Sequence, residues 1–184
     1  MSLRVISGSV KGHVLKSVPG DTTRPITDRV KESLFNILGA DVIDSNWWDV
    51  FGGTGAVGIE ALSRGAAFCR FTDLNRVPID TIKSNLTATR LTSRADAKRA
   101  DAFSLLASNP DHRFHYIYIA PPQYREMWSQ ALLDLDSNSA WLEADGWVIA
   151  QIHPKEYRPL ELTALMEFDQ RKYGSTLLVF YERK

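Results

Sequence analysis

The chain has 184 residues, of which 44% are hydrophobic, and its 22 Lys/Arg balance 22 Asp/Glu to a formal net charge of zero. That length favours one domain, and the apolar fraction excludes a disordered composition. Balanced charge excludes a nucleic-acid role announced by bulk basicity. A lone cysteine, Cys69, excludes both an intramolecular disulfide and a cysteine-cluster metal site, and its apolar surroundings make it a core residue.

The charge is unevenly spread. Residues 1–32 hold six Lys/Arg against three acids, while the other 152 residues carry 16 against 19. A basic amino-terminal segment on a mildly acidic body fits a local polyanion contact, and an excess this small fits ordinary surface scatter as well. No apolar leader opens the chain, and no stretch approaches the roughly 20 apolar residues of a membrane helix. A cytoplasmic protein without membrane association is expected.

In chain order, Leu3–Ser7 and His13–Val18 read as two short strands joined at Gly8–Gly12, a hairpin whose basic positions are Arg4, Lys11, His13 and Lys16. Residues 1–20 are thus expected to form a basic arm, and residues 21–184 the main domain. Ile26, Val30, Leu34, Ile37 and Leu38 recur at helical spacing, with Thr27 or Asp28 as cap and Gly39 as stop. Strands are then predicted at Trp47–Phe51, Ala67–Thr72, Ala95–Ala100, His115–Ile119 and Gly146–Ile152. Helices are predicted between them at Ala56–Arg64, Val77–Thr89, Phe103–Ser108 and Arg125–Leu135. Met166–Tyr173 and Thr176–Glu182 read as a terminal hairpin. Alternating strands and helices mean βαβ units in a mostly parallel sheet, an α/β fold.

Four features fall at successive strand ends: the glycine turn Gly52-Gly53-Thr54-Gly55, Asp73, Asp101, and Ala120-Pro121-Pro122-Gln123-Tyr124. In a parallel sheet all four share the carboxyl rim, where ligands bind. Asp73 stands where a second-strand acid accepts from both hydroxyls of a ribose. Asp101 is placed to accept from an adenine amino group, with Ala102 leaving room for the ring. Taken alone, each acid reads equally as a helix cap or turn residue. Together they point to an adenine nucleoside. The turn is neither Gly-x-Gly-x-x-Gly nor a phosphate loop, so S-adenosyl-L-methionine fits better than NAD or ATP.

Asp49–Gly55 looks like the first motif of S-adenosylmethionine-dependent methyltransferases. Arg24-Pro25-Ile26-Thr27-Asp28-Arg29-Val30-Lys31-Glu32 closely resembles the signature of the RsmD family of 16S rRNA (guanine-N2)-methyltransferases. The resemblance runs nearly end to end and implies a Rossmann-like class I methyltransferase fold, with a seven-stranded, mostly parallel sheet and an amino-terminal β-hairpin. It implies a cofactor site at Arg24, Thr27, Asp49, Phe51, Gly52–Gly55, Asp73, Leu74, Asp101 and Ala102. It also implies RNA contacts at Arg4, Lys11, His13, Lys16, Arg29 and Lys31, and chemistry at Ala120–Tyr124.

One position departs. The family motif is Asp-Pro-Pro-Phe/Tyr, whereas here Ala120 replaces the acid and the aromatic follows one residue late. In the family the acid and a proline-adjacent carbonyl accept from the guanine amino group, and the aromatic stacks on a flipped-out base. Gln123 or backbone is expected to replace the acid here, with Tyr124 stacking. The partner implied is ribosomal RNA or the small subunit, and a monomer is expected. His112-x-x-His115 has no accompanying carboxylate motif, so no metal is expected. Two alternatives stay open: an RNA-binding module without catalysis, for which Ala120 speaks, and an amine methyltransferase acting on DNA or protein.

Overall fold

The computed structural model describes residues 3–20 and 25–184, so Arg24 lies outside the described residues. The described residues form a seven-stranded sheet of β1 Asn46–Asp49, β2 Phe68–Asp73, β3 Ala95–Arg99, β4 Phe114–Ile119, β5 Leu142–Ile152, β6 Leu165–Tyr173 and β7 Thr176–Arg183. Its order is β3-β2-β1-β4-β5-β7-β6; the first five strands pair in parallel, and β7 runs antiparallel to β5 and β6. After β3 the chain crosses back over β1 to lay down β4. The crevice at the carboxyl ends of β1 and β4 is therefore the switch point at which open α/β sheets bind ligands.

Alternation along β1 splits the core. Trp47 faces α1 Asp28–Leu38, α2 Ala56–Ser63 and α3 Arg76–Ala88, in a layer that includes Phe35, Tyr116 and Phe71. Trp48 faces the opposite layer with Phe114, Trp128 and Trp141, against α5 Met127–Ser137 and the short α4 Ala102–Leu106. Trp47 stacks on Phe35 at 5.5 Å and Trp48 tilts against Trp141 at 4.9 Å. Trp147 is half-buried, and Cys69 is buried without a disulfide.

The expected amino-terminal hairpin is present but short. Residues 3–5 pair with residues 12–15 through an antiparallel bridge of Arg4 with Val14, with Val5 N–H donating to the His13 carbonyl, Gly12 N–H to the Val5 carbonyl and Leu15 N–H to the Leu3 carbonyl. Other amides of the segment go to the body. Ile6 and Ser7 N–H donate to the Glu60 carboxylate at 2.8 and 3.0 Å, Val10 N–H to Ser63 Oγ, and Lys16 N–H to Asn85 Oδ1. Leu3, Val5 and Leu15 are buried in the same layer as α1 and α2. Donors taken by these side chains keep the ladder from extending beyond that pairing.

Lys31 needs correcting. Expected on RNA, its side chain is wholly buried, paired at 3.4 Å with an equally buried Glu60, and its ammonium donates to the Arg4 carbonyl. Arg64 closes the network on Glu60 at 2.8 Å. Burial draws the Lys31 ammonium below the usual lysine range and Glu60 partly opposes it. A cation shut inside this network cannot reach a phosphate, so Lys31 fastens the arm and α1 to α2.

Candidate cofactor and substrate cleft

β1 delivers Asp49 into a turn that favours glycine at two points. Gly53 has φ +53°, and a Cβ at Gly52 would sit 2.7 Å from Ile82 Cδ1 and 3.2 Å from the Thr72 carbonyl. Gly52 therefore serves the approach of the turn to β2 and α3. Asp73, at the end of β2, locks the turn: Oδ2 accepts from Gly53 N–H at 3.2 Å and Oδ1 from Asn75 N–H at 2.9 Å. Asp101 caps α4 through Phe103 N–H at 2.9 Å, which is the plain cap reading, and it also lines the cleft.

These ends enclose a cleft of about 1130 Å³. Of the residues expected on the cofactor side, Asp49, Phe51, Gly52, Gly53, Thr54, Asp73, Leu74, Asp101 and Ala102 line it. Gly55 stands behind them against Ile82 and Ile59, and Thr27 caps α1 through Val30 N–H. Apolar walls come from Val77, Pro78 and Phe103, and the last residues of the arm, Val18–Gly20, form one lip.

Asp49 is 2% exposed, and its Oδ1 has no hydrogen-bond partner among the described residues. Burial, and then the neighbouring Asp73 carboxylate, push its carboxyl well above the ordinary range. The folded state therefore holds this proton more tightly than the unfolded chain does. The stability it contributes is complete at acid pH and is lost as pH rises through the raised folded-state value. Urea denaturation from pH 4 to 9 is expected to show Asp49→Asn gaining stability relative to wild type as pH rises. Parallel profiles would contradict the assignment.

On the far side, Ala120, Pro121, Pro122 and Gln123 line the cleft at the end of β4. Tyr124 stands outside it at the rim, 65% exposed. Its N–H donates to Glu156 Oε1 at 2.7 Å, and its ring lies tilted over His153 at 5.7 Å. Tyr124 and Glu126 adopt left-handed φ of 60° and 52°, which delays α5 to Met127 where Arg125 was the expected start. Sequence reasoning passed over Glu156, and over Tyr118 and Gln151 on the cleft floor. A glutamine inside the apolar run Val148–Ile152 was the available signal for Gln151.

Of the residues expected on RNA, Lys11, Lys16 and Arg29 are exposed and His13 is half-exposed, with Lys16 Nζ 2.9 Å from Ser84 Oγ. Arg4 is exposed but paired with Asp28 at 2.9 Å. No group of His, Cys, Asp and Glu suited to hold a metal occurs among the described residues, and none of their helices is long and apolar enough to cross a membrane.

The set of acceptors and apolar walls suits an adenosyl group. Carboxylates stand at the ends of β2 and β3, the walls between them are apolar, and Asp49 leaves a buried acceptor unpartnered. Comparison with known proteins gives the family. The family profile described as "Conserved hypothetical protein 95" matches residues 3–182. "Putative rRNA methyltransferase YlbH" of Bacillus subtilis (strain 168) is 41% identical over 99% of this chain and 100% of its own length. "Ribosomal RNA small subunit methyltransferase D" of Escherichia coli (strain K12) is 32% identical over 81% of this chain and 74% of its own. The solved structure "Putative methyltransferase yhhF from Escherichia coli" superposes with a TM-score of 0.88 at 27% identity, covering 100% of this chain and 99% of the other.

Proposed function

The chain belongs to the conserved hypothetical protein 95 family, the RsmD family, and from that premise we propose that it binds S-adenosyl-L-methionine and methylates the exocyclic N2 of a guanine in small-subunit (16S) ribosomal RNA. The observation that carries this reading is the shared rim: the Asp73-locked glycine turn, Asp101 and the double proline all open into one cleft at the switch point of the sheet.

S-adenosylmethionine, when bound, supplies an electrophilic methyl group on a sulfonium. The chain's own part is recognition and alignment, which carry most of the rate when an amine is the nucleophile. Asp73 accepts from the ribose hydroxyls and Asp101 from the adenine amino group, while Leu74 and Phe103 flank the ring. A backbone carbonyl at Ala120 or Pro121 accepts one hydrogen bond from the guanine amino group. Tyr124 presents its exposed ring to a base that has left its stack, because a paired base edge cannot enter the cleft. The protein works as a cytoplasmic monomer in this reading.

Incubation with labelled S-adenosylmethionine and small subunits, naked ribosomal RNA, DNA and unrelated protein tests the substrate class. Label confined to the RNA is the expected result; label in DNA or protein would replace this reading with another amine acceptor. The arm has its own test. Lys11 and Lys16 are exposed phosphate-binding candidates on a segment fixed to the body. Each phosphate contact adds close to one unit to the slope of log affinity against log salt. Neutralising both is expected to weaken RNA binding at least tenfold at ~100 mM salt and to lower that slope by about two. An unchanged slope would remove the arm from the RNA interface.

A further inference from the structure

An amino group about to be alkylated carries two N–H bonds, and its lone pair is aimed only when both are held by acceptors. The end of β4 supplies backbone carbonyls, and Ala120 supplies no side chain. On the adjacent strand β5, Ile119 is in register with Ala150, so the next positions, Ala120 and Gln151, lie side by side. Both belong to the cleft lining. Tyr118, two residues before Ala120 and on the same sheet face, donates its hydroxyl to Gln151 Oε1 at 2.5 Å.

We propose that Gln151 is the side-chain acceptor for the substrate amino group and that Tyr118 is the positioning residue that holds its amide. The proposal rests on the guanine-N2 reading and deepens it. An amide oxygen has two lone pairs; Tyr118 takes one, and the second is left for the substrate. Tyr118 is buried on the cleft floor, and that burial keeps its phenol protonated and a donor throughout the physiological range. A hydrogen bond donated into an amide oxygen polarises it and pre-orients it in a low-dielectric site. Gln151 accepts a hydrogen bond and removes no proton, since an amide is no base at neutral pH. Gln123 is a weaker candidate, because it stands exposed on the loop leading to Tyr124.

The test is single-turnover methylation of small-subunit RNA together with calorimetric binding of S-adenosylhomocysteine. Gln151→Leu is expected to slow transfer about 50-fold, the order of loss on removing one aligned hydrogen-bonding group from a reacting centre. Cofactor-product affinity is expected to stay within twofold. Adding Ala120→Asp to that variant places a carboxylate acceptor beside the lost amide and is expected to recover at least tenfold. Tyr118→Phe is expected to slow the wild type five- to tenfold and to change nothing in the Gln151→Leu background. Gln151→Glu, which keeps an acceptor with little change in shape, is expected to stay active. A Gln151→Leu rate within threefold of wild type, or a loss that Ala120→Asp does not repair, overturns the proposal while leaving guanine-N2 methylation standing. A wild type that transfers no methyl to guanine overturns both.

Discussion

Asp73→Ala is expected to weaken S-adenosylhomocysteine binding about 100-fold, measured by calorimetry. A carboxylate that accepts from two hydroxyls makes charge-assisted hydrogen bonds worth roughly 1.5–3 kcal/mol each, and a hundredfold change corresponds to about 2.7 kcal/mol. The same side chain holds Gly53 N–H and Asn75 N–H, so its loss also loosens both turns that shape the cleft. Asp73→Asn keeps a neutral acceptor and is expected to lose closer to tenfold. Alanine binding within fivefold of wild type would place the ribose elsewhere.

Lys31→Met is expected to lower the free energy of unfolding by about 3–5 kcal/mol, the usual consequence of removing one partner of a buried ion pair and leaving the other charge uncompensated. Glu60 would keep Arg64 and the Ile6 and Ser7 amides, but lose the one cation that shares its full burial. Because Lys31 also holds the Arg4 carbonyl, amide exchange at Ile6 and Ser7 is expected to quicken well before global unfolding. A loss under 1 kcal/mol in urea denaturation would return Lys31 to the surface role that its place in the signature suggested.

Why Lys31 misled is instructive. On a helix whose polar face also carries Asp28, Arg29 and Glu32, a lysine reads as solvated. Only the tertiary fold reveals Glu60 waiting beneath it, one helix and some thirty residues away. The arm's hairpin was legible in the alternation of His13–Val18, but its anchoring was not: Glu60, Ser63 and Asn85 claim the amides of Ile6, Ser7, Val10 and Lys16, which local pattern cannot see. The sheet was legible because β1, β2, β4 and β5 are apolar runs punctuated by glycine, aspartate or proline, and such runs alternating with helices read as buried parallel strands. The rim residues were legible through their positions at strand ends. Gln151 was not, because its meaning lies in the register that sets it beside Ala120.

The most direct measurement of the central claim is the identity of the methylated nucleoside. Small-subunit RNA lacking this modification is incubated with the protein and S-adenosylmethionine, digested to nucleosides and separated. N2-methylguanosine is the expected product, formed at a single position. N6-methyladenosine, a ribose methyl, or RNA returned unmodified would contradict it.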